Sequence, residues 1–300
     1  MCTPLVAGLR AAGHTLGIAL SNRNAGIFAR GTFAFEHVLE RIPWPRHGST
    51  PETAARARAE IAASEYDAAI VVSEEPEAYE LALPIVQRVG FTTGWGKPLK
   101  SLWVRRRLTH AVRRGASVGS DARHEVEAIF ALGAPFLGAK IPTRDQDVLR
   151  ALVLGERGRA PRERIVMQVG PKWTTIGVPR ESVATIAREL AARGALIIAS
   201  ADEADAARAL VGAVPLTLVA QLDAWKLFID AARIVVTPDT GAAHLAGMLG
   251  VPVVDVFPDA DAAAQIARWR PWAACATTLR ACDLRGADAY ARIEAALDVG

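Results

Sequence analysis

Cysteine is scarce in this chain, which has only Cys2, Cys275 and Cys282 among its 300 residues. Three thiols cannot build a disulfide framework, so the sequence favours a reducing compartment. Long apolar runs are also lacking, since none reaches the ~18 residues of a membrane-spanning helix, and no secretory signal pattern opens the chain. These absences argue against a disulfide-stabilised secreted domain or an integral membrane protein. They predict a globular cytoplasmic protein.

Strong charge of either sign is absent as well, because 35 lysines and arginines against 32 acidic residues leave a net charge of +3. This balance suits an anionic substrate or a peripheral contact with an acidic membrane surface, and it does not require nucleic acid. The basic residues cluster once, at 105–107 and 113–114. That cluster is either a solvated helix face, which is the simpler interpretation, or a site for an acidic acceptor.

Candidate metal ligands are few. His124 and Glu127 lie three residues apart on a predicted helix, but no further ligand converges on them in the sequence. Cys275 and Cys282 would supply at most half of a metal site, and two idle thiols are the simpler interpretation. We therefore expect neither a metal ion nor a cofactor.

What the chain does contain is a regular alternation of short apolar runs and amphipathic stretches rich in Ala, Arg and Glu. Continuous apolar strands separated by helices of 10–15 residues predict parallel sheets that are covered on both faces. The predicted strands are 15–20, 68–73, 164–170, 195–200, 216–220, 233–237 and 251–257. The predicted helices are 3–13, 50–64, 75–89, 121–135, 179–194, 202–213 and 223–232.

These elements form two sets, which predicts two Rossmann-like domains. Residues 138–164 are rich in charge, Gly and Pro and show no clear strand, so we interpret them as the link. The expected domains are 1–145 and 146–282, and a last helix within 283–300 is expected to pack back on the first domain.

The start of the first domain departs from the usual pattern. A doubly wound half begins with a strand near the middle of its sheet, whereas here the first predicted element is the helix 3–13. Omitting a central strand would leave the backbone groups of its neighbours unpaired. The sequence therefore predicts either that a strand precedes Met1 in a longer protein or that the sheet is repaired in some other way.

The most patterned segment is 233–257, "RIVVTPDTGAAHLAGMLGVPVVDVF", which predicts strand, turn, helix, turn and strand. In an open α/β sheet, ligands bind beyond the carboxyl ends of the strands. A helix that begins near Thr240 and Gly241 would present free amide groups and its positive dipole end to an anion. Asp239 could orient the turn or bind a sugar hydroxyl, and His244 lies one turn further on. An ordinary capped helix with a core histidine is the alternative, but the combination favours a phosphate-bearing ligand.

The segment closely resembles the C-terminal signature of the family 9 glycosyltransferases, the heptosyltransferase-like enzymes of lipopolysaccharide synthesis. That signature is an apolar strand, Asp-Thr/Ser-Gly, two residues, His-Leu-Ala, Leu-Gly-x-Pro and a second strand. Residues 167–194, 200–210, 3–13 and 105–135 resemble other family segments in the same order. The resemblance covers nearly the whole chain, and it is strongest at 233–257.

This resemblance implies the α/β GT-B fold, in which two Rossmann-like domains face each other across a cleft. It also implies a metal-independent inverting transfer from a nucleotide sugar, typically ADP-heptose. Without a metal ion, the leaving diphosphate must be stabilised by a helix N-terminus and nearby cations. The donor-diphosphate residues implied are Asp239, Thr240, Gly241, Ala242 and His244, and the nucleotide-binding residues implied are Gly170, Trp173 and Glu203.

Two departures from the family pattern affect the chemistry. A basic residue commonly stands three positions before the proline of the donor loop, but Ile176 occupies that position here. Lys172 is either its substitute or a solvent-facing lysine. The family's general base is an aspartate in a Gly-Asp pair just before the first helix, and only Met1 and Cys2 precede Thr3.

The acceptor is expected to be an anionic glycolipid or glycan bound at the cytoplasmic face of the inner membrane. Lys97, Lys100 and Arg105 are candidate acceptor contacts. The first hypothesis is a heptose-transferring family 9 enzyme. The second is a nucleotide-sugar-binding homologue that is impaired or truncated, and the third is another GT-B enzyme such as a nucleotide-sugar epimerase.

Overall fold

The computed structural model describes residues 1–41, 48–92, 97–114 and 123–298. The chain divides into two compact units, and the division falls close to the predicted domain boundary. Unit 1 comprises Met1–Ala116 and Glu125–Thr143, and unit 2 comprises Ser117–His124 and Arg144–Gly300. Within the described ranges, no helix combines the length and the apolar character that crossing a bilayer requires.

Unit 1 alternates strands and helices along the chain. Its strands are β1 (Gly17–Ser21), β2 (Phe35–Leu39), β3 (Ala68–Val71), β4 (Gln87–Thr92) and β5 (His110–Arg113). Its helices are α1 (Thr3–Ala11), α2 (Pro51–Ala63), α3 (Pro76–Leu81), α4 (Pro98–Arg105), α5 (Glu125–Ala131) and α6 (Ala134–Leu137).

The parallel strands of unit 1 form two separate pieces, β1-β2 and β3-β4-β5. Among the described residues, β1 pairs only with β2, and β3 pairs only with β4. Strands β1 and β3 are largely half-buried or exposed, although interior strands of a parallel sheet are normally buried. Within the described residues, the strands of unit 1 thus form two separate parallel sheets.

Two predictions in unit 1 need correction. The predicted helix 75–89 ends at Leu81, and the same stretch supplies the start of β4 at Gln87. Pro84 favours an end to the helix because proline removes a helical hydrogen bond and clashes with the preceding turn. Strands β2 and β5 were missed because both carry histidine and charged residues among their apolar positions.

Unit 2 contains one parallel sheet in the order β11-β10-β9-β6-β7-β8, the doubly wound order of a Rossmann fold. Its strands are β6 (Arg164–Gln168), β7 (Leu196–Ser200), β8 (Thr217–Val219), β9 (Ala232–Pro238), β10 (Val253–Phe257) and β11 (Ala276–Arg280). Its helices are α7 (Gln146–Leu154), α8 (Lys172–Thr175), α9 (Arg180–Ala192), α10 (Ala204–Val211), α11 (Leu222–Asp230), α12 (Gly241–Leu249), α13 (Ala262–Trp269) and α14 (Ala289–Leu297).

The core of unit 2 lies on both faces of this sheet. On one face, Met167, Ile234 and Val254 pack against apolar residues of α9, α10 and α14. Helices α11 and α12 contact the strands from the other side, and α7 packs on α12. The result places the amino end of α12 above the carboxyl ends of the central strands, where an open α/β sheet binds ligands.

Two boundary predictions differ from the structure. Residues 146–154 of the predicted link form α7, whose first-turn amides at Asp147 and Val148 donate to the Asp145 carboxylate. The last helix, α14, was expected to pack back on the first domain. Instead its Ile293 and Leu297 enter the core of unit 2, since they match the apolar surface of α9.

Candidate functional site

The turn between β9 and α12 is shaped by backbone and side-chain hydrogen bonds. The amide of Asp239 donates to the carbonyl of Val256 at 3.0 Å, which ties the turn to the neighbouring strand. Thr240 is the N-cap, and its hydroxyl accepts from the amide of Ala242 at 3.3 Å. Helix α12 then ends at Gly250, which takes the left-handed conformation with φ 66°.

Helix geometry leaves the first-turn amides of α12 without intrahelical acceptors. Gly241 is exposed, and a Cβ built on it would meet nothing within 4 Å. Open space therefore lies directly in front of the positive end of the helix dipole. That combination is suited to an anion that approaches the backbone closely.

A row of three polar side chains, Gln168, Thr237 and Thr240, lies beneath this helix end. The Thr237 hydroxyl donates to Gln168 Oε1 at 2.9 Å and lies 3.0 Å from the Thr240 hydroxyl. The Thr240 side chain is thus engaged with both Thr237 and the Ala242 amide. Its role is to fix the end of the helix.

Asp239 and His244 form the polar wall of the site. His244 Nε2 lies 3.5 Å from Asp239 Oδ1, and the two side chains are 21% and 17% exposed. Burial lowers the pKa of His244 to about 4, so the imidazole is neutral near pH 7. Burial also raises the pKa of Asp239 to about 6, against the opposing pull of the Lys172 charge.

Unsatisfied buried polar atoms concentrate at this site. Seven buried side-chain nitrogen or oxygen atoms lack a hydrogen-bond partner among the described residues, and four belong to Asp239, His244 and Asp255. Buried polar groups in native proteins nearly always have hydrogen-bond partners. A cluster of exceptions therefore indicates a candidate ligand-binding or catalytic site. Asp255 was not singled out by the sequence analysis, although an acid in the middle of the apolar run 251–257 was a visible signal.

Comparison with known proteins decides the family. A family model described as "Glycosyltransferase family 9 (heptosyltransferase)" matches residues 54–292. This chain belongs to glycosyltransferase family 9. A search among curated proteins finds no match.

Solved structures agree with this assignment at the level of the fold. The E. coli heptosyltransferase WaaC with ADP has a TM-score of 0.68 at 18% identity, covering 99% of this chain and 96% of that one. E. coli ADP-heptose lps heptosyltransferase II has a TM-score of 0.67 at 16% identity, covering 99% and 94%. A family 9 glycosyltransferase from Veillonella parvula DSM 2008 has a TM-score of 0.66 at 17% identity, covering 94% and 82%. The α/β fold of this transferase is accordingly GT-B.

A second group of predicted residues in this family 9 transferase lies at the ends of β6 and β7. Glu203 closes a 3-10 turn, Ala201–Glu203, directly after β7. A Cβ on Gly170 would lie 2.5 Å from Glu203 Oε2 and 3.1 Å from Gln168 Nε2. The absence of a side chain at Gly170 therefore lets the Glu203 carboxylate lie against the backbone there.

Trp173 has a different role from the predicted nucleotide contact. Its side chain is fully buried, and its indole nitrogen donates to the carbonyl of Gln168 at 2.8 Å. The tryptophan packs against the loop that follows β6, and its side chain is not accessible to a ligand. Ile176 is buried in the same core, so its side chain cannot replace a phosphate-binding cation.

Lys172 is exposed in α8, and it lies close enough to Asp239 to lower the pKa of that carboxyl. The structure thus brings a mobile positive charge near the turn that precedes α12.

His124 is buried, with its Nε2 2.8 Å from the carbonyl of Arg270 and its ring 4.7 Å from that of Trp272. No group of three potential metal ligands occurs within the described ranges.

The candidate acceptor residues belong to unit 1. Lys97 is exposed and immediately precedes α4, and Arg105 is exposed in its last turn. Lys100 Nζ lies 3.9 Å from Glu74 Oε2, an exposed ion pair of little energetic weight. The structure places Lys100 and Arg105 on this short helix and Lys97 at its N-cap.

The burial of Asp239 has a measurable consequence for stability. Because its folded pKa of about 6 exceeds the usual 3.8, the folded state binds the proton more tightly, and stability is lost as pH rises from about 4 to 6. Asp239→Asn removes that titration, and we expect it to raise the free energy of unfolding by about 1–2 kcal/mol at pH 8, allowing for partial exposure. Urea unfolding at pH 4 and pH 8 measures the difference.

At pH 4 the two proteins should differ little, because Asp239 is then protonated in the folded state. The matched control is Asp202→Asn, an exposed acid in the 3-10 turn, which should show no such dependence. An equal change in the free energy of unfolding at pH 4 and pH 8 in Asp239→Asn would contradict the raised pKa of Asp239.

Proposed function

We propose that this protein transfers heptose from ADP-heptose to a lipopolysaccharide-core or related anionic glycan acceptor by metal-independent inverting displacement. One observation carries the proposal: the amino end of α12 opens onto free space and is bordered by buried, unsatisfied Asp239 and His244 atoms. Family membership supports it. The ADP and the ADP-2-deoxy-2-fluoro heptose in structures of WaaC indicate the kind of donor.

In this proposal the donor diphosphate lies at the first turn of α12, against the amides of Gly241 and Ala242. Leaving-group charge is stabilised there by the helix dipole and by Lys172, acting as a mobile point charge. Such preorganised electrostatic stabilisation replaces the metal ion that other transferases use. A buried neutral imidazole at His244 adds a hydrogen-bonding group without a charge that would require solvation.

The remaining donor contacts follow from the polar atoms that are free to reach it. Asp239 Oδ1 is buried, so a ligand can reach only the other carboxylate oxygen, which can accept from a hydroxyl of the sugar. Glu203, whose carboxylate lies against the backbone at Gly170, would receive the ribose. Lys97, Lys100 and Arg105 would contact the anionic acceptor at the cytoplasmic face of the inner membrane.

The second candidate is a nucleotide-sugar-binding homologue without transferase activity, and Ile176 favours it, because it is buried where the family commonly carries a phosphate-binding cation. An epimerase would need acid and base residues of its own in the donor site. Asp239 and His244 alone do not supply a symmetric pair of that kind.

Calorimetry with ADP tests the donor site. Lys172→Ala should weaken ADP binding by about tenfold, since a charge-assisted contact contributes about 1.5 kcal/mol or more. Lys140→Ala removes an equally exposed lysine from unit 1 and should leave the affinity unchanged. Unchanged binding in Lys172→Ala would remove that lysine from the site, and absence of ADP binding by the unaltered protein would overturn the proposed function.

Release of ADP from ADP-heptose in the presence of lipopolysaccharide core separates the two candidates. Acceptor-dependent release that persists in EDTA supports the metal-independent transferase. ADP binding without any acceptor-dependent release supports the binding homologue.

A further inference from the structure

Asp255 is the most unusual buried group in the protein. It lies in the middle of β10, it is fully buried, and neither carboxyl oxygen has a hydrogen-bond partner among the residues that the structure describes. An ionised carboxylate in such a place would cost several kcal/mol, so the group avoids charge. Burial, and then the neighbouring charge of Asp239, raise the pKa of Asp255 well above its usual range.

The position of Asp255 links it to the donor site. In the parallel register of the sheet, Asp255 stands opposite Thr237 of β9 and Thr278 of β11, so all three share one face. Thr237 lies 3.0 Å from the N-cap hydroxyl of Thr240. Asp255 therefore lies next to the polar row that supports the start of α12.

A neutral carboxyl group can donate one hydrogen bond, and Asp239 offers an acceptor on the correct side. The buried Oδ1 of Asp239 has no hydrogen-bond partner, although His244 Nε2 stands 3.5 Å away. Asp255 immediately precedes Val256, whose carbonyl accepts from the Asp239 amide at 3.0 Å, and the nearby Asp239 charge raises the pKa of Asp255. Two buried acids with unsatisfied oxygens among the described residues thus lie on neighbouring chain segments that are joined at Val256.

We propose that Asp255 is a positioning residue for Asp239: its protonated carboxyl donates towards the buried Oδ1 of Asp239 and directs the other oxygen to the donor sugar. This inference rests on the proposed function. It assigns to β10 a contribution to the recognition of the sugar that is separate from the binding of the diphosphate. The prediction that distinguishes it is a loss of affinity for ADP-heptose without a loss for ADP.

The test compares the calorimetric affinities of ADP and ADP-heptose for Asp255→Val and Asp255→Asn. Valine removes the donor, so ADP-heptose should bind about tenfold more weakly while ADP binds as before. Asparagine keeps a donor of the same size, so its affinity for ADP-heptose should stay within about twofold of the unaltered protein. Asp255→Ala, which adds no bulk, replaces the valine variant if that variant fails to fold.

A double-mutant cycle completes the test. In an Asp239→Ala background, Asp255→Val should cause no further loss of ADP-heptose affinity, because the residue acts through Asp239. An additive loss, an equal loss for ADP, or a failure of asparagine to preserve affinity would overturn the inference while leaving the proposed function intact. If the unaltered protein binds neither ligand, the proposed function fails and the inference fails with it.

Discussion

Gly241→Val should abolish ADP binding while leaving the fold unchanged. A Cβ at this position meets no protein atom within 4 Å, so the added isopropyl group projects into the space in front of α12. A diphosphate could then no longer approach the first-turn amides, and the loss of several charge-assisted hydrogen bonds should weaken binding by at least about a hundredfold. Calorimetry with ADP measures the loss, and urea unfolding checks the fold.

Gly158→Val is the matched control for this substitution. Gly158 is also an exposed glycine whose added Cβ meets nothing within 4 Å, but it lies in the loop before β6. This variant should bind ADP with unchanged affinity. Retention of ADP affinity within about threefold by Gly241→Val would show that the ligand does not lie against α12.

Asp230→Ala should cause the largest loss of stability in unit 2. The Asp230 carboxylate receives a two-point contact from Arg150, with Nε to Oδ1 at 2.8 Å and Nη2 to Oδ2 at 2.7 Å. Both side chains are almost fully buried, at 7% and 5% exposure. Removing the carboxylate leaves the buried guanidinium of Arg150 without its counter-charge. This should lower the free energy of unfolding by about 3–5 kcal/mol.

Urea unfolding measures this loss, and Asp205→Ala provides the matched control. Asp205 is a fully exposed acid whose ion pair with Arg208 joins two surface residues, so its removal should cost less than about 1 kcal/mol. The double variant Arg150→Met/Asp230→Leu should recover part of the stability, because it leaves no buried charge of that pair uncompensated. A loss of under about 1 kcal/mol in Asp230→Ala would show that the pair contributes little.

The effect of Asp230→Ala should reach α12 at the end opposite the donor site. Arg162 Nη2 lies 3.7 Å from the same carboxylate, and its guanidinium donates to the carbonyls of Leu249 and Gly250 at 2.8 and 2.7 Å. This network secures the carboxyl end of α12. The fraction of Asp230→Ala that remains folded should therefore still bind ADP, because the amino end has its own cap at Thr240.

The apolar runs, and the Gly, Pro and charged residues that bound them, were sufficient to predict much of unit 2. The strands at 164–170, 195–200, 233–237 and 251–257 were predicted within three residues at either end, because each is a continuous apolar run bounded by Gly, Pro or charge. Strand β11 was missed because its sequence, Ala-Thr-Thr-Leu-Arg, contains no apolar run and its residues are only half-buried or exposed. The start of α12 was predictable because Thr240 and Gly241 are strong local signals for a helix terminus.

The polar environment of the site was less accessible to sequence reasoning. Gln168, Thr237 and Asp255 come from three strands that are neighbours only because the sheet order is β10-β9-β6. The packing role of Trp173 and the return of α14 to its own unit depend in the same way on distant surfaces. Such pairings depend on tertiary packing, which the local pattern does not encode.

The sequence by itself determined the family of this protein, since the segment 233–257 carries the glycosyltransferase family 9 signature within one stretch of chain. Only the tertiary structure decided that Asp239, His244 and Asp255 each bury polar atoms that lack a hydrogen-bond partner among the described residues. Burial and the proximity of residues distant in the chain set the pKa of each, and both arise only when the strands assemble.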